Sequence, residues 1–356
     1  RDAWNASTNA RCTPITASAS STTVVLTADT AGVPFSISVE TTETGGTTAD
    51  AQTISGATTT ANSGPNDWNT AANWSTGAVP VDGDTVYLTA RGSDAILYGL
   101  NQTSGTPTLA LLYVEQGHPQ VGTLDAAMQL KVTTWRHGLP QIDGSTPTSS
   151  SIFNWAFGNT ATAGTIYSTP SQGSEGRPPV QIDVDNASAS IQVGGSSRVG
   201  IGTATWGQTS TLGTLTVRED ANVTVGSAVT LTTLNPEGGT TNLNGSITTI
   251  AYGEGAVNTI GAGTITTATI GGTATLNSTG TITTLNVTGR GFADFSASSA
   301  ARTVTNCVLS GPEARLNADN GVPLSITFTN GVDLTDGAKG SNVDFGDGLT
   351  ITPSAL

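Results

Sequence analysis

The chain of 356 residues carries 26 acidic against 12 basic side chains, a formal charge of −14, with only 11% of its residues charged and 44 glycines. So few Lys and Arg, and none of them clustered, cannot displace counterions from a phosphate backbone, which argues against nucleic acid and anionic membrane surfaces as partners. Scarce Leu, Glu, Lys and Arg argue against long helices, while abundant Thr, Val, Ile and Gly predict an all-β protein.

Residues 1–62 read as a small N-terminal β-rich adaptor domain. Arg1 is not an initiator Met, and Asp2 to Ala6 reads as the end of a helix, so an upstream part is expected to be missing. Alternating runs at Thr22 to Ala28 and Pro34 to Val39, separated by Ala31-Gly32, predict a hairpin. Residues 44–64 lack large apolar side chains and read as a linker. Cys12 and Cys307 lie far apart and outside any CxxC pair, which supports neither a disulfide framework nor a zinc site. No run approaches the roughly 18 apolar residues that span a bilayer, and no cleavable signal is visible.

Residues 63–180 change in texture. Trp68 and Trp74 with Pro80 and Asp82-Gly83-Asp84 predict a Trp-rich cap and turns ahead of a strand at Thr85 to Leu88. Beyond it comes the most aromatic stretch of the chain, with both histidines and with long connections at Gly138 to Ser151 and Ser168 to Pro179, so wide, irregular rungs are expected.

Residues 181–356 read as a regular shaft. Apolar strands begin at Leu212, Leu231, Ile247, Ile265, Ile282 and Val304, and a second apolar row follows at Leu243, Val257, Leu276, Phe295 and Leu316. Two rows advancing nearly together, by 14 to 22 residues, predict one coil turn per repeat, a parallel β-helix (solenoid) with Ile, Leu and Val inside and Thr and Asn outside. A string of small sandwiches would need about seven strands per hundred residues with less self-similarity.

The segment NTAANWSTGAVPVDGDTVYL at 69–88, the stretch 15–39, and TLTTLN, GTITTLNV and RTVTNCVL at 230–235, 280–287 and 302–309 together resemble uncharacterised phage and prophage virion-type proteins. Related NWS-containing segments occur in bacterial surface β-helix proteins. The resemblance runs from about residue 4, where Trp4 to Ser7 matches the end of an upstream helix. It implies a fibre-like structural role on a particle or cell surface, commonly as a trimer beside other structural proteins. It supplies no catalytic residues.

Candidate sites are few. Asp183/Asp185, Glu219/Asp220 and Asp344/Asp347 are close acid pairs of the kind that glycoside chemistry uses, but none is joined by an Arg or Lys expected on a neighbouring rung, and they read as solvated turn or ladder carboxylates. His118 and His137, with Trp135, Trp155 and Tyr167, are candidates for contact with a glycan or protein partner, against the plainer reading of loop residues packed beside Pro119 and Pro140. Asp82-Gly-Asp84 and Asp344 to Asp347 lack the pattern of a calcium loop. The Gly-rich stretch 194–207 lacks a P-loop lysine and any following helix. The expectation is therefore a non-enzymatic, extracellular or virion-surface homo-oligomer without cofactor or metal. An adhesin or glycan-binding module is the alternative, and a polysaccharide depolymerase is a third reading.

Overall fold

The computed structural model describes residues 2–9, 12–20, 23–30, 64–90, 95–100, 107–122, 127–138, 152–167, 178–202, 211–322 and 325–346. The chain forms two compact units, residues 1–79 with 96–100 and the remainder.

The first unit opens with one helical turn, Asp2–Asn5, followed by strands Ile15–Ser20 and Thr23–Ala28 paired antiparallel. The helix is too short to persist alone and is held by side chains. Asn5 accepts from the Ala17 N–H at 2.8 Å and donates to its carbonyl at 2.9 Å, as a neighbouring strand would, while Trp4 Nε1 donates to the Ile15 carbonyl at 3.0 Å. The strand 23–28 thus pairs with a segment ahead of it, and the pairing expected with 34–39 falls outside the described residues. In the same unit Trp68 meets Trp74 edge-on with centroids 4.6 Å apart, and Trp74 Nε1 donates to the Trp68 carbonyl at 2.7 Å. Asn73 closes this knot by donating to the carbonyls of Gly64 and Asp67.

The second unit is a parallel β-helix. From Thr108–Val114 to Ile326–Phe328 its strands alternate between two sheets, so each turn there adds one strand to each, stacked at the usual rung height of about 4.8 Å. The first, 13-stranded sheet begins with Thr85–Leu88, Thr108–Val114, Lys131–His137, Ala163–Ile166 and Asn186–Val193 and ends with Arg302–Ser310, on which Ile326–Phe328 and Val332–Thr335 both pair. The second, 11-stranded sheet runs from Met128–Gln129 through Phe153–Gly158, Val180–Val184 and Arg198–Ile201 to Val343–Asp344.

Inside the coil every turn extends the same apolar ladders. Leu212, Leu231, Ile247, Ile265, Ile282 and Val304 are successive Cα partners, the row expected from sequence. A second interior ladder reads Val86, Leu112, Trp135, Gly164, Ile191, Leu215, Leu234, Ile250, Ala268, Leu285, Cys307 and Val332 without a break. Outside, Thr214, Thr233, Thr249, Thr267, Thr284 and Asn306 stack half-exposed. A strand that turns alternate residues inward, bonded in register to its neighbours, produces both faces at once. The parallel coil is thus already under way at Thr85; its early rungs are wider, Leu112 to Trp135 taking 23 residues and Trp135 to Gly164 taking 29.

The second expected row needs correction. Leu243 aligns with Thr259 and Leu276, whereas Val257 aligns with Thr241, Ala274, Ala293 and Leu316, so the row mixed two ladders two residues apart. The sequence pattern hid this because two interior positions hold threonine. Thr241 is fully buried, and Thr259 Oγ1 accepts the Ser278 N–H at 3.2 Å.

Cys307 occupies an interior position between Leu285 and Val332, and burial pushes its thiol up to about 12. A thiol reagent added to the native protein is expected to modify half-exposed Cys12 and spare Cys307 until the coil unfolds. Modification of both cysteines at equal rates in native buffer would contradict the interior placement.

Candidate functional site

The structure places four of the five proposed contact residues inside the coil, which corrects that expectation. Trp135 is 2% exposed and Trp155 1%. Trp135 sits on the interior ladder opposite Gly164, where a Cβ would come within 2.3 Å of the indole, so the ring fills the space a side chain would need. Phe157 joins the two tryptophans, with centroids 5.3 Å from Trp135 and 5.5 Å from Trp155. Large rings inside a coil are accommodated by small partners on the adjacent rung, as in any close-packed core.

His137 stands on the ladder between Val114 and Ile166, its ring edge-on to Phe153 at 4.5 Å. Burial, reinforced by His118, lowers its pKa to about 3. His118 is buried as well, and burial also lowers its pKa. Its Nδ1 lies 3.2 Å from the Thr89 carbonyl; since a carbonyl only accepts, Nδ1 carries the proton and Nε2 is left as a bare acceptor. Both rings are therefore neutral core residues. Tyr167 differs: half-buried at a corner, its hydroxyl donates to Glu219 at 3.1 Å, which raises its pKa, while the other Glu219 oxygen accepts the Gly195 N–H at 2.6 Å. Gly195, at φ +62, brings its backbone so close to the Tyr167 carbonyl that a Cβ would lie 2.2 Å away.

Among the acid pairs, Glu219 is thereby committed to this corner. Asp344 accepts the Gly346 N–H, and its expected companion Asp347 lies outside the described residues. Asp82 and Asp84 accept the N–H groups of Thr108 and Val81, so both are engaged in turns. Among the described residues no three His, Cys, Asp or Glu side chains converge as a metal site would require. Asp183 stands apart. It is 3% exposed, on the outer side of strand Val180–Val184, and burial together with Asp185 raises its carboxyl to about 6.

Asp183 borders a feature that the sequence reading missed. One outer ladder of the second sheet reads Asn154, Gln181, Gly200, Thr224, Asn242, Asn258, Thr275, Asp294, Asn317 and Asp344. From Asn242 onward its members bond along the stack, Asn258 to Asn242 at 3.0 Å and Asn317 to Asp294 at 3.1 Å. At its beginning the side chains are enclosed instead: Asn154 and Gln181 are each 0% exposed. The only sequence signal for this ladder was one polar residue per repeat, indistinguishable from the other Thr and Asn positions. Searches against family models, curated proteins and solved structures find no match to this chain.

Proposed function

We propose that this chain is a structural, fibre-like component of an extracellular assembly, foremost a phage virion, serving as a head or tail fibre or decoration protein. The observation that carries this reading is the interior ladder unbroken from Val86 to Val332. Such a stack resists unfolding and proteolysis because each rung is bonded to two others and buries its apolar row only through them. The role is mechanical and needs no reaction.

Self-association belongs to the same reading. In the last rungs the interior row comes to the surface: Leu334 is 38% exposed, and Val332, Val343, Phe328 and Phe345 are half-exposed. Stacked rings continue to that end, Phe328 lying 6.4 Å from Phe295 and 6.0 Å from Phe345. Exposed apolar side chains grouped in this way favour burial against further copies. A trimer is expected by light scattering at micromolar concentration, and Leu334→Asp together with Phe328→Ser is expected to weaken it at least ten-fold. A purely monomeric species across the micromolar range contradicts self-association, and absence of the protein from purified particles contradicts the virion assignment.

The adhesin alternative, in the form that relied on exposed Trp135 and Trp155, loses its support now that both rings are interior.

A further inference from the structure

Both histidines of the chain, His118 and His137, lie inside the early turns of the coil. The Nε2 atom of each is buried without a hydrogen-bond partner. The two rings converge on Phe153, whose centroid is 6.4 Å from that of His118 and 4.5 Å from that of His137. What faces them is apolar with one exception. His137 has Val114 and Ile166 on the adjacent rungs and Phe153 on the other sheet, and the charge that acts on it is that of His118. His118 has the Thr89 carbonyl at its Nδ1, with Glu115 as the carboxylate beside it. Glu115 is itself buried, and one of its oxygens accepts the Ala90 N–H at 2.8 Å. Lys131 and Arg136, the charged residues on the strand of His137, are not buried, and Arg136 lies over the ring of Tyr113.

We propose that His118 and His137 form an acid-sensitive latch: in mildly acidic solution the early rungs Thr108–Val114 and Lys131–His137 open and take up protons, while the rungs beyond Val180–Val184 stay closed. A neutral imidazole tolerates this interior, but a cationic one would be a buried charge without a partner. Protons therefore bind the opened segment and draw it open by mass action. The first proton also opposes the second, because the two rings share one apolar space. Two features set where the opening stops. The rungs from Val180 onward contain no histidine, and Asp183, buried on strand Val180–Val184, responds in the opposite sense: burial raises its carboxyl, so acid tightens that rung. Opening brings Trp135, interior on the strand of His137, to solvent. The inference is independent of whether the protein is a virion fibre.

Hydrogen exchange read by mass spectrometry on the full chain, at pH 7 and pH 5 and corrected for the pH dependence of chemical exchange, tests the latch. The open population of Thr108–Val114 and Lys131–His137 is expected to rise about 25-fold through His137 alone, the effect of a proton bound below pH 6.5 only in the open form, and further through His118. Strands Thr230–Pro236 and Ile265–Ile270 are expected to change less than about three-fold over the same interval. The double variant His118→Gln, His137→Val should lose the rise: glutamine keeps a donor for the Thr89 carbonyl, and valine continues the ladder of Val114 and Ile166. The parent alone already discriminates, since no rise, or an equal rise in early and late strands, overturns the proposal. A rise that persists undiminished in the double variant overturns it as well.

Discussion

Replacing Gly164 by valine is expected to lower the stability of the coil by about 3 kcal/mol, the upper part of the range for overpacking a closed core. The cause is specific: a Cβ at this position meets Trp135 Cε2, Cζ2 and Nε1 at 2.3 to 2.6 Å, and the indole is walled in by Phe157 on the neighbouring sheet. Trp135→Leu alone should cost about 3 kcal/mol through the cavity it opens. The double variant is where packing and mere burial part company. If the two side chains share one space, valine fills part of what leucine vacates, and the combined loss falls short of the separate losses by about 1–2 kcal/mol. Urea midpoints for the four proteins, compared at constant slope, measure this coupling. Strictly additive losses would show that Gly164 and Trp135 do not compete for the same volume.

Acidification is expected to expose two buried groups pulling in opposite directions. His137 titrates near 3 in the folded coil against 6.5 in the unfolded chain. Below pH 6.5 the unfolded chain therefore binds a proton that the fold refuses, and stability falls until about pH 3, at about 1.4 kcal/mol per pH unit. At pH 4.5 this amounts to about 3 kcal/mol, and His118 adds to it in the same direction. Asp183 acts with the other sign. Its carboxyl is raised to about 6 from 3.8, so between those values the fold holds a proton that the unfolded chain has lost, and stability rises as pH falls, by up to about 3 kcal/mol. The parent protein should therefore weaken between pH 6 and pH 4 only by the His118 contribution, and more steeply below. His137→Val, which continues the Val114 and Ile166 ladder, should gain stability over that window. Asp183→Asn should be more stable than the parent at pH 7 and lose that advantage by pH 4. Parallel profiles for all three proteins would show that neither group is held in the state assigned to it.

The reach of sequence reasoning differs from row to row. The ladder from Leu212 to Val304 was legible because each member is an Ile, Leu or Val set one coil turn from the last, so spacing alone reproduces the pairing. The other sheet's row was blurred by Thr241 and Thr259, which occupy interior positions that a hydroxyl rarely takes and that no count of apolar residues can find. The aromatic region was misjudged for a related reason. Trp135, His137 and Trp155 alternate with polar neighbours as a ligand-contacting face does, and they equally suit an interior one. Gly164 was the available clue, since a glycine facing a tryptophan one rung away makes sense only if the ring needs its space, but the rung length of 29 residues hid the pairing.

The composition and the recurring apolar spacing by themselves determined an all-β parallel coil, the register of one of its interior rows and a Thr- and Asn-faced exterior. These follow from local rules: strand propensity, turn residues and a repeat that buries nothing until it stacks. Only the tertiary structure decided which way the aromatic and histidine side chains face, which residues pair across the wide early rungs, and that Gln129, Asn154, Gln181 and Asp183 gather in two columns. A strand presents both faces alike to sequence inspection, and inside becomes distinct from outside only when the coil closes and its rungs pair.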